Sequence, residues 1–208
     1  MLFRSTLGLG YGTGWAKLQH TLKTQPPGAD LSDNECQRLV KVYREVNDKV
    51  IALWKKCDEA LQNMASWNEN SQPYYLDAHK CLLVCKEGIQ LPNGLYIYYP
   101  GLTWDTSESK SKFIYKARNG FTSIWGGSVV ENVVQALARI IVGEQMIKIN
   151  EKYKPVLTVH DAVVCVAPDN DVDEASKFII DIMSTPPLWA TGLPVACEAK
   201  SGDSYGDC

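Results

Sequence analysis

The stretch that most constrains the fold is residues 155–168, PVLTVHDAVVCVAP, in which one polar pair interrupts two apolar runs. Residues 156–159 and 162–166 are rich in β-branched side chains and are bounded by prolines, which predicts two strands of a hairpin. His160 and Asp161 then occupy the turn. An aspartate there can present its oxygens to Mg²⁺, which prefers oxygen ligands. The alternative, favoured by this stretch alone, is a turn aspartate beside a histidine with no shared role.

The composition of the 208 residues is that of a globular protein, with 45% hydrophobic and 22% charged residues. The chain is long enough for one large domain or two small ones. Its net charge of −3 excludes a global attraction to nucleic acid, so a polyanion must bind at a local patch. Seven irregularly spaced cysteines without a signal-like start predict reduced thiols. No apolar run reaches transmembrane length, so we expect a cytoplasmic protein with no membrane partner.

Two segments show the apolar spacing of long helices. Apolar residues at three- and four-residue steps predict one amphipathic helix over residues 34–64. Ser128 and Glu131 match a capping box, which predicts the start of a second helix. Apolar residues cover most of the circumference of this helix, so we expect it to be deeply packed: Val130, Val133, Val134, Leu137, Ile140 and Ile141. Gln135 and Arg139 interrupt that apolar surface on one face because they are four residues apart. They can contact a nucleic-acid duplex or its phosphates, or they can form a polar seam along a buried helix.

The remaining apolar segments are short and are separated by turn residues. Residues 95–99 and 113–115 predict two strands, which we expect to pair as a hairpin with a polar tip. Residues 171–184 predict an amphipathic helix, and residues 193–199 predict a last strand.

Glycines at positions 8, 10, 12 and 14 interrupt the N-terminal stretch. Their spacing matches neither the dinucleotide-binding fingerprint nor the phosphate loop of nucleotide hydrolases. Glycine lets a backbone approach a partner closely, so Tyr11 beside Gly12 is a candidate for stacking on a nucleic-acid base. A flexible turn in which Tyr11 is a packing residue fits the composition equally well.

Six segments occur in an order that matches a known family. They are Tyr11-Gly12 within residues 7–12, Tyr43-Arg44 with Trp54, residues 91–100 (LPNGLYIYYP), Gly126-Gly127 through Arg139, Val159-His160-Asp161, and residues 193–207. In this order they resemble the C-terminal fingers and palm of a family A DNA polymerase of the bacteriophage type. The resemblance covers essentially the whole chain.

This resemblance implies an α+β fold, in which a partial, helical fingers subdomain (residues 1–90) precedes a partial palm (residues 91–208). The palm would contain an antiparallel sheet packed by helices, with the catalytic hairpin at about residues 155–168. The implied activity is DNA-directed DNA polymerisation, in which a primer 3′ hydroxyl attacks the α-phosphate of a deoxynucleoside triphosphate at a two-Mg²⁺ site. The implied partners are deoxynucleoside triphosphates and primer-template DNA, whose duplex Gln135 and Arg139 would face, in the cytoplasm of a phage host.

The resemblance also implies roles for the turn residues. Asp161 would bind metal and take part in catalysis, and His160 would support the primer terminus or the hairpin. Tyr11, followed by Gly12, would lie at the nucleotide insertion site near the templating base.

Several features of that family do not occur in these 208 residues. Two-metal chemistry needs two carboxylates, and the Asp-x-Ser-x-x-Glu motif that supplies the other one is absent. The Arg-x-x-x-Lys motif that holds the triphosphate is absent before Tyr11, where Phe3 stands at the lysine position. Ala162 replaces the acidic residue that usually follows His-Asp. We therefore expect that the isolated chain does not polymerise and that its partner is the missing N-terminal half of the polymerase.

Two other functions are compatible with the sequence. One is a non-catalytic nucleic-acid-binding accessory subunit of a replicase, whose binding to primer-template would be salt-sensitive and independent of Asp161. The other is a single-metal hydrolase around His160 and Asp161, which is disfavoured because no second cluster of metal ligands accompanies the pair.

Overall fold

The computed structural model describes residues 8–107 and 111–208. Helices and antiparallel sheets make up the regular structure, which confirms the predicted α+β class. The backbone forms two compact units, Met1–Val133 and Val134–Cys208, and each is described by itself. None of the helices in the described ranges is long and apolar enough to cross a membrane.

Residues 8–10 are helical, and three longer helices of the first unit follow them. They are α1 (Trp15–Thr24), α2 (Asp33–Val46) and α3 (Asp48–Ala65). The prediction of one helix over residues 34–64 is wrong because the chain bends at Asn47, whose φ of −107° and ψ of 43° are not helical. The side-chain amide of Asn47 donates a hydrogen bond to the carbonyl of Tyr43 at 2.9 Å. Asparagine competes with helical bonding in this way, and apolar periodicity continues across such a break without revealing it.

Short strands form two antiparallel sheets in the described part of the first unit. In spatial order the first sheet has β1 (Tyr74–Tyr75), β2 (Leu83–Cys85), β3 (Gly88–Gln90) and β4 (Tyr96–Tyr98), and the second has β5 (Thr103–Asp105), β6 (Lys112–Ala117) and β7 (Gly120–Ile124). The predicted hairpin between residues 95–99 and 113–115 does not form. β4 pairs with β3 across a turn at Gly94, and β6 pairs with β5 and β7. A short loop closes at a lower entropic cost than a long one. The predicted subdomain boundary after residue 90 lies between β3 and β4, and the assignment of fingers and palm to these ranges stays a prediction.

Buried apolar residues hold the helices of the first unit in place. α1 and α2 pack through one cluster, Leu9, Leu18, Leu22 and Val40. α3 buries a stripe that includes Trp54, Cys57 and Leu61. Burial raises the pKa of the Cys57 thiol to about 12, because the thiolate cannot be hydrated there.

The longest helix in the described ranges is α4, Gly126–Ile149. It begins two residues before Ser128, so the predicted capping box of Ser128 and Glu131 does not start the helix. Instead, the backbone N–H of Gly126 donates to Oδ1 of Asp58, an α3 residue, at 2.5 Å. The first N–H groups of a helix have no partner within the helix, and a carboxylate is favourable at that end. A residue distant in sequence therefore caps the start of α4.

The second unit contains the rest of α4, a hairpin of β8 (Pro155–Val159) and β9 (Ala162–Cys165), and the helix α5 (Val172–Met183). Its core is a cluster of buried residues, Ile149, Tyr153, Ala175 and Met183. α5 agrees with the helix predicted over residues 171–184. The strand predicted over residues 193–199 does not form, and Cys197 in that segment packs against the core cluster instead.

Candidate functional site

The turn of the β8–β9 hairpin consists of His160 and Asp161, in the place that the sequence predicts. Val159 and Ala162 are the last paired residues, so the loop between the strands has two residues. His160 has a φ of 55°. This conformation is uncommon for residues other than glycine and costs about 1–3 kcal/mol. Backbone strain of this kind concentrates at functional sites, which makes the turn the first candidate.

The strands below the turn rest on a packed base. Val163 and Cys165 of β9, which are two residues apart and share a face, pack against the core cluster together with Phe178 of α5. Tyr153 in that cluster donates a hydrogen bond to Oδ2 of Asp171 at 2.6 Å, which raises the pKa of Tyr153 because the carboxylate favours the protonated phenol. β9 therefore packs against the core of the second unit, whereas the turn residues His160 and Asp161 are exposed.

Asp161 has the chemistry of a metal ligand but does not form a whole metal site. Its side chain is exposed and, within residues 8–107 and 111–208, makes no hydrogen bond or ion pair, so its oxygens are open to a cation. In the same ranges no group of three or more His, Cys, Asp and Glu side chains is placed to hold a metal ion. The residues present fit one oxygen ligand for Mg²⁺ and do not fit a complete two-metal site.

Gln135 and Arg139 lie on one exposed face of α4 in the second unit. Val134 beside them is 56% exposed, and Ile147 further along the helix is 71% exposed. The prediction that α4 is deeply packed is therefore wrong at these exposed positions, because an apolar composition does not by itself imply burial. The alternative of a polar seam in a buried helix is also wrong.

In the first unit, Gly12 lies against Trp125, the residue before α4, and Tyr11 precedes Gly12 in the same turn. Tyr11 is 52% exposed, and Gly12 has a φ of 74°. A Cβ atom on Gly12 would lie 2.3 Å from Cη2 of Trp125, and one on Gly127 would lie 2.2 Å from the same atom. The indole of Trp125 is thus held between two glycines, and a larger residue at either position would displace it. Two segments that the family resemblance singled out meet at this ring.

Trp125 and Asp58 are the residues of this region that sequence analysis missed. The ring of Trp125 lies edge-to-face against Trp54, with 5.2 Å between the ring centroids. A Cβ atom on Gly126 would lie 1.9 Å from the carbonyl oxygen of Trp54. The available signal was the tripeptide Trp-Gly-Gly, since adjacent glycines beside a large ring indicate close packing. The sequence does not indicate which residues pack there.

The predicted site residues fall into two groups. Tyr11 and Gly12 lie in the first unit; Gln135, Arg139, His160 and Asp161 lie in the second. The structure describes each group within its own unit, so it describes no joint site made of both.

Comparison with known proteins identifies a relative by sequence. No protein-family model matches the chain, and no solved structure matches it. The chain is 30% identical over 212 aligned residues to a protein named DNA polymerase from Bacillus phage SP02. The match covers 96% of this chain and 31% of that protein, so the chain spans about a third of the relative's length. Over nearly all of its length, the chain is related in sequence to part of a phage DNA polymerase.

Proposed function

We propose that this chain is the C-terminal part of a DNA-directed DNA polymerase of family A, of the bacteriophage type. The observation that carries the proposal is the 30% identity to a phage DNA polymerase across 96% of the chain. The six segments that resemble fingers and palm agree with this relationship and extend it. Residues 1–90 would then be a partial fingers subdomain, and residues 91–208 a partial palm with the catalytic hairpin.

In this proposal the turn of the β8–β9 hairpin supplies residues to the polymerase active site. The reaction joins a primer 3′ hydroxyl to the α-phosphate of a deoxynucleoside triphosphate and releases pyrophosphate. Asp161, exposed on a two-residue turn, supplies one carboxylate ligand, and His160 positions the primer terminus or stiffens the turn. Mg²⁺, when bound, neutralises charge on the phosphates and favours ionisation of the primer hydroxyl. A short turn on a packed base suits this role because a ligand must be held in place before the substrate arrives.

The other candidate residues would contact the nucleic acid. Tyr11 presents an exposed ring on a turn whose next residue, Gly12, is fixed against Trp125, which gives a stiff surface for the new base pair. Gln135 and Arg139 lie on one exposed face of α4. The guanidinium of Arg139 and the side-chain amide of Gln135 can donate hydrogen bonds to phosphates or to the acceptors of a minor groove.

A second polypeptide segment completes the site in this proposal. The 208 residues hold Asp161 but neither the second carboxylate motif nor the Arg-x-x-x-Lys motif for the triphosphate. These groups would come from the N-terminal part of the polymerase, the missing partner. We therefore propose that the 208-residue chain alone does not polymerise, and that the complete enzyme acts in the cytoplasm of a phage host.

The test is a chimera in which this chain replaces the matching segment of the phage SP02 DNA polymerase. We expect the chimera to extend a primer with Mg²⁺ and deoxynucleoside triphosphates. Asp161→Ala should lower the rate about a thousandfold, because loss of metal-assisted charge stabilisation removes several kcal/mol. Asp181→Ala, an exposed aspartate on α5 of the same unit, is the matched control and should leave the rate unchanged.

Three outcomes would contradict parts of the proposal. A chimera that extends primers equally well with Asp161→Ala refutes the metal-ligand role. Robust synthesis by the isolated chain, abolished by Asp161→Ala, refutes the proposal that the 208-residue chain alone does not polymerise. A chimera that binds primer-template in a salt-sensitive manner, without synthesis and without dependence on Asp161, favours the accessory-subunit alternative instead. That alternative is supported by the single carboxylate at the turn and by the exposed face of α4.

A further inference from the structure

The sheet β5–β6–β7 of the first unit has one inward face and one outward face. Residues directly opposite each other on paired strands share a face. On the inward face, Tyr115 packs edge-to-face on the buried Tyr99, with 5.3 Å between ring centroids, and Ile124 is only 3% exposed. Side chains alternate along a strand, so Lys116 and Ser123 lie on the outward face.

The outward face combines an exposed aromatic ring with unpaired cations. Lys116 pairs directly with Phe121 across β6 and β7, so their Cβ atoms are about 5 Å apart. The ring of Phe121 is 65% exposed. Arg118 follows on the tight turn that joins the two strands and is exposed. In the part of the chain that the structure describes, the side chains of Lys116 and Arg118 make no ion pair or hydrogen bond.

The charge on this face is local and positive. Residues 109–130 contain four basic residues and no acidic one, in a chain whose net charge is −3. At one end of β6, Lys112 lies opposite Asp105. At the other end, Lys116 lies opposite an aromatic ring, and Arg118 follows in the turn. The field near this turn therefore attracts anions, although the chain as a whole does not.

We propose that the outward face of β5–β6–β7 binds single-stranded DNA, with phosphates on Lys116 and Arg118 and a base stacked on Phe121. Cations beside an exposed aromatic ring are typical of single-strand-binding surfaces, because an unpaired base offers a flat π face for stacking. A duplex keeps those faces within its own stack and would leave the exposed ring without a role. The choice of DNA among polyanions rests on the proposed function, whereas the cation–aromatic face does not.

Fluorescence anisotropy of a labelled single-stranded oligonucleotide of mixed sequence tests this on the purified chain, without Mg²⁺ or nucleotides. Phe121→Leu should weaken binding about tenfold at an unchanged salt dependence, because stacking is lost. The double variant Lys116→Gln/Arg118→Gln should make the slope of log affinity against log salt shallower by about 1.4, since each single-strand phosphate contact contributes about 0.7. The controls lie at the first sheet, where Nζ of Lys80 is 5.9 Å from the centroid of the exposed Tyr75 ring. Tyr75→Leu removes that ring, and Lys80→Gln removes that cation. These matched controls should leave both quantities unchanged.

The result that overturns the proposal is unchanged affinity and unchanged slope in both outward-face variants. Equally tight binding of a blunt duplex, unaffected by Phe121→Leu, overturns the choice of single strands. If circular dichroism shows that a variant has lost structure, photocrosslinking of the wild-type chain to an iodouracil-containing oligonucleotide decides the matter. Crosslinks on β6 or β7 support the proposal, and crosslinks confined to other segments overturn it. Because this assay contains no metal or nucleotide, its failure is distinguishable from the failure of primer extension by the chimera.

Discussion

Replacing Gly126 by alanine tests how closely α3 approaches the start of α4. A Cβ atom at this position would lie 1.9 Å from the carbonyl oxygen of Trp54 and 2.9 Å from the backbone nitrogen of Asp58. Real Cβ atoms are essentially never found within 3.0 Å of such an atom. The two helices would therefore have to separate by about 1.1 Å at this point, the difference between 1.9 and 3.0 Å. These two contacting atoms are backbone atoms inside a helix, and the third, Cγ of Asp58 at 2.9 Å, belongs to a side chain, so side-chain rotation alone cannot relieve the clash.

The expected cost combines two effects. Forcing an extra methyl group into a packed interior costs about 1–3 kcal/mol. The same separation lengthens the 2.5 Å bond from the Gly126 N–H to Asp58, and a lost hydrogen bond costs about 0.5–1.5 kcal/mol. Better helix propensity of alanine offsets up to about 1 kcal/mol. We expect Gly126→Ala to lower the free energy of unfolding by about 2–3 kcal/mol and Tm by about 4–12 °C.

Gly143→Ala on the same helix is the matched control. A Cβ atom at Gly143 meets nothing within 4 Å. Alanine is favoured over glycine in a helix interior by about 1 kcal/mol, so this variant should raise Tm by about 2–4 °C. Urea and thermal denaturation followed by far-UV circular dichroism measure both variants. If Gly126→Ala melts at or above the wild-type temperature while Gly143→Ala behaves as expected, the close approach of α3 and α4 is refuted.

Three further predictions follow from single contacts. Asp58→Ala should destabilise the chain by about 1 kcal/mol in urea titrations, because the N–H of Gly126 loses its acceptor, whereas Asp58→Asn should retain most of that stability. The free energy of unfolding should fall as pH rises from about 9 to about 12, because the unfolded thiol of Cys57 ionises at its ordinary pKa and the folded thiol only near 12; an equal fall in Cys57→Ala would contradict this assignment. Gln145→Leu should lower the free energy of unfolding by about 1–3 kcal/mol, because the buried amide that donates to the carbonyl of Met183 at 3.0 Å is lost. Thermal denaturation unchanged by Gln145→Leu would show that water replaces this bond.

Features that depend on neighbours in sequence could be predicted. The β8–β9 hairpin was predictable because its β-branched runs and bounding prolines restrict the backbone locally. The two-residue turn then places His160 and Asp161 at the tip whatever the rest of the chain does. The shared face of Gln135 and Arg139 was predictable because positions four apart always share a face of a helix.

Features that depend on distant residues could not be predicted. The start of α4 is capped by Asp58, which is 68 residues from Gly126 along the chain. The close approach of Trp125 to Gly12, the residue after Tyr11, joins two residues that are far apart in sequence. The break at Asn47 was missed for a different reason, since a side chain that bonds its own backbone leaves the apolar period intact. Burial of α4 was overestimated because composition does not say which face a neighbour covers.

The backbone strain at the hairpin turn supports the function proposed for it. Among the described residues, Lys80 and His160 are the non-glycine residues with positive φ, at 58° and 55°. Around Lys80, the carboxylate of Asp77 accepts hydrogen bonds from the backbone N–H groups of Cys81 and Leu82, which hold that turn in shape. The side chain of His160 has no such bond in the described ranges, and its conformation accompanies the two-residue connection between β8 and β9. Glycine would occupy the first position of a two-residue hairpin turn at a lower cost. The retention of this strained residue agrees with the proposed contact between the imidazole of His160 and a bound primer.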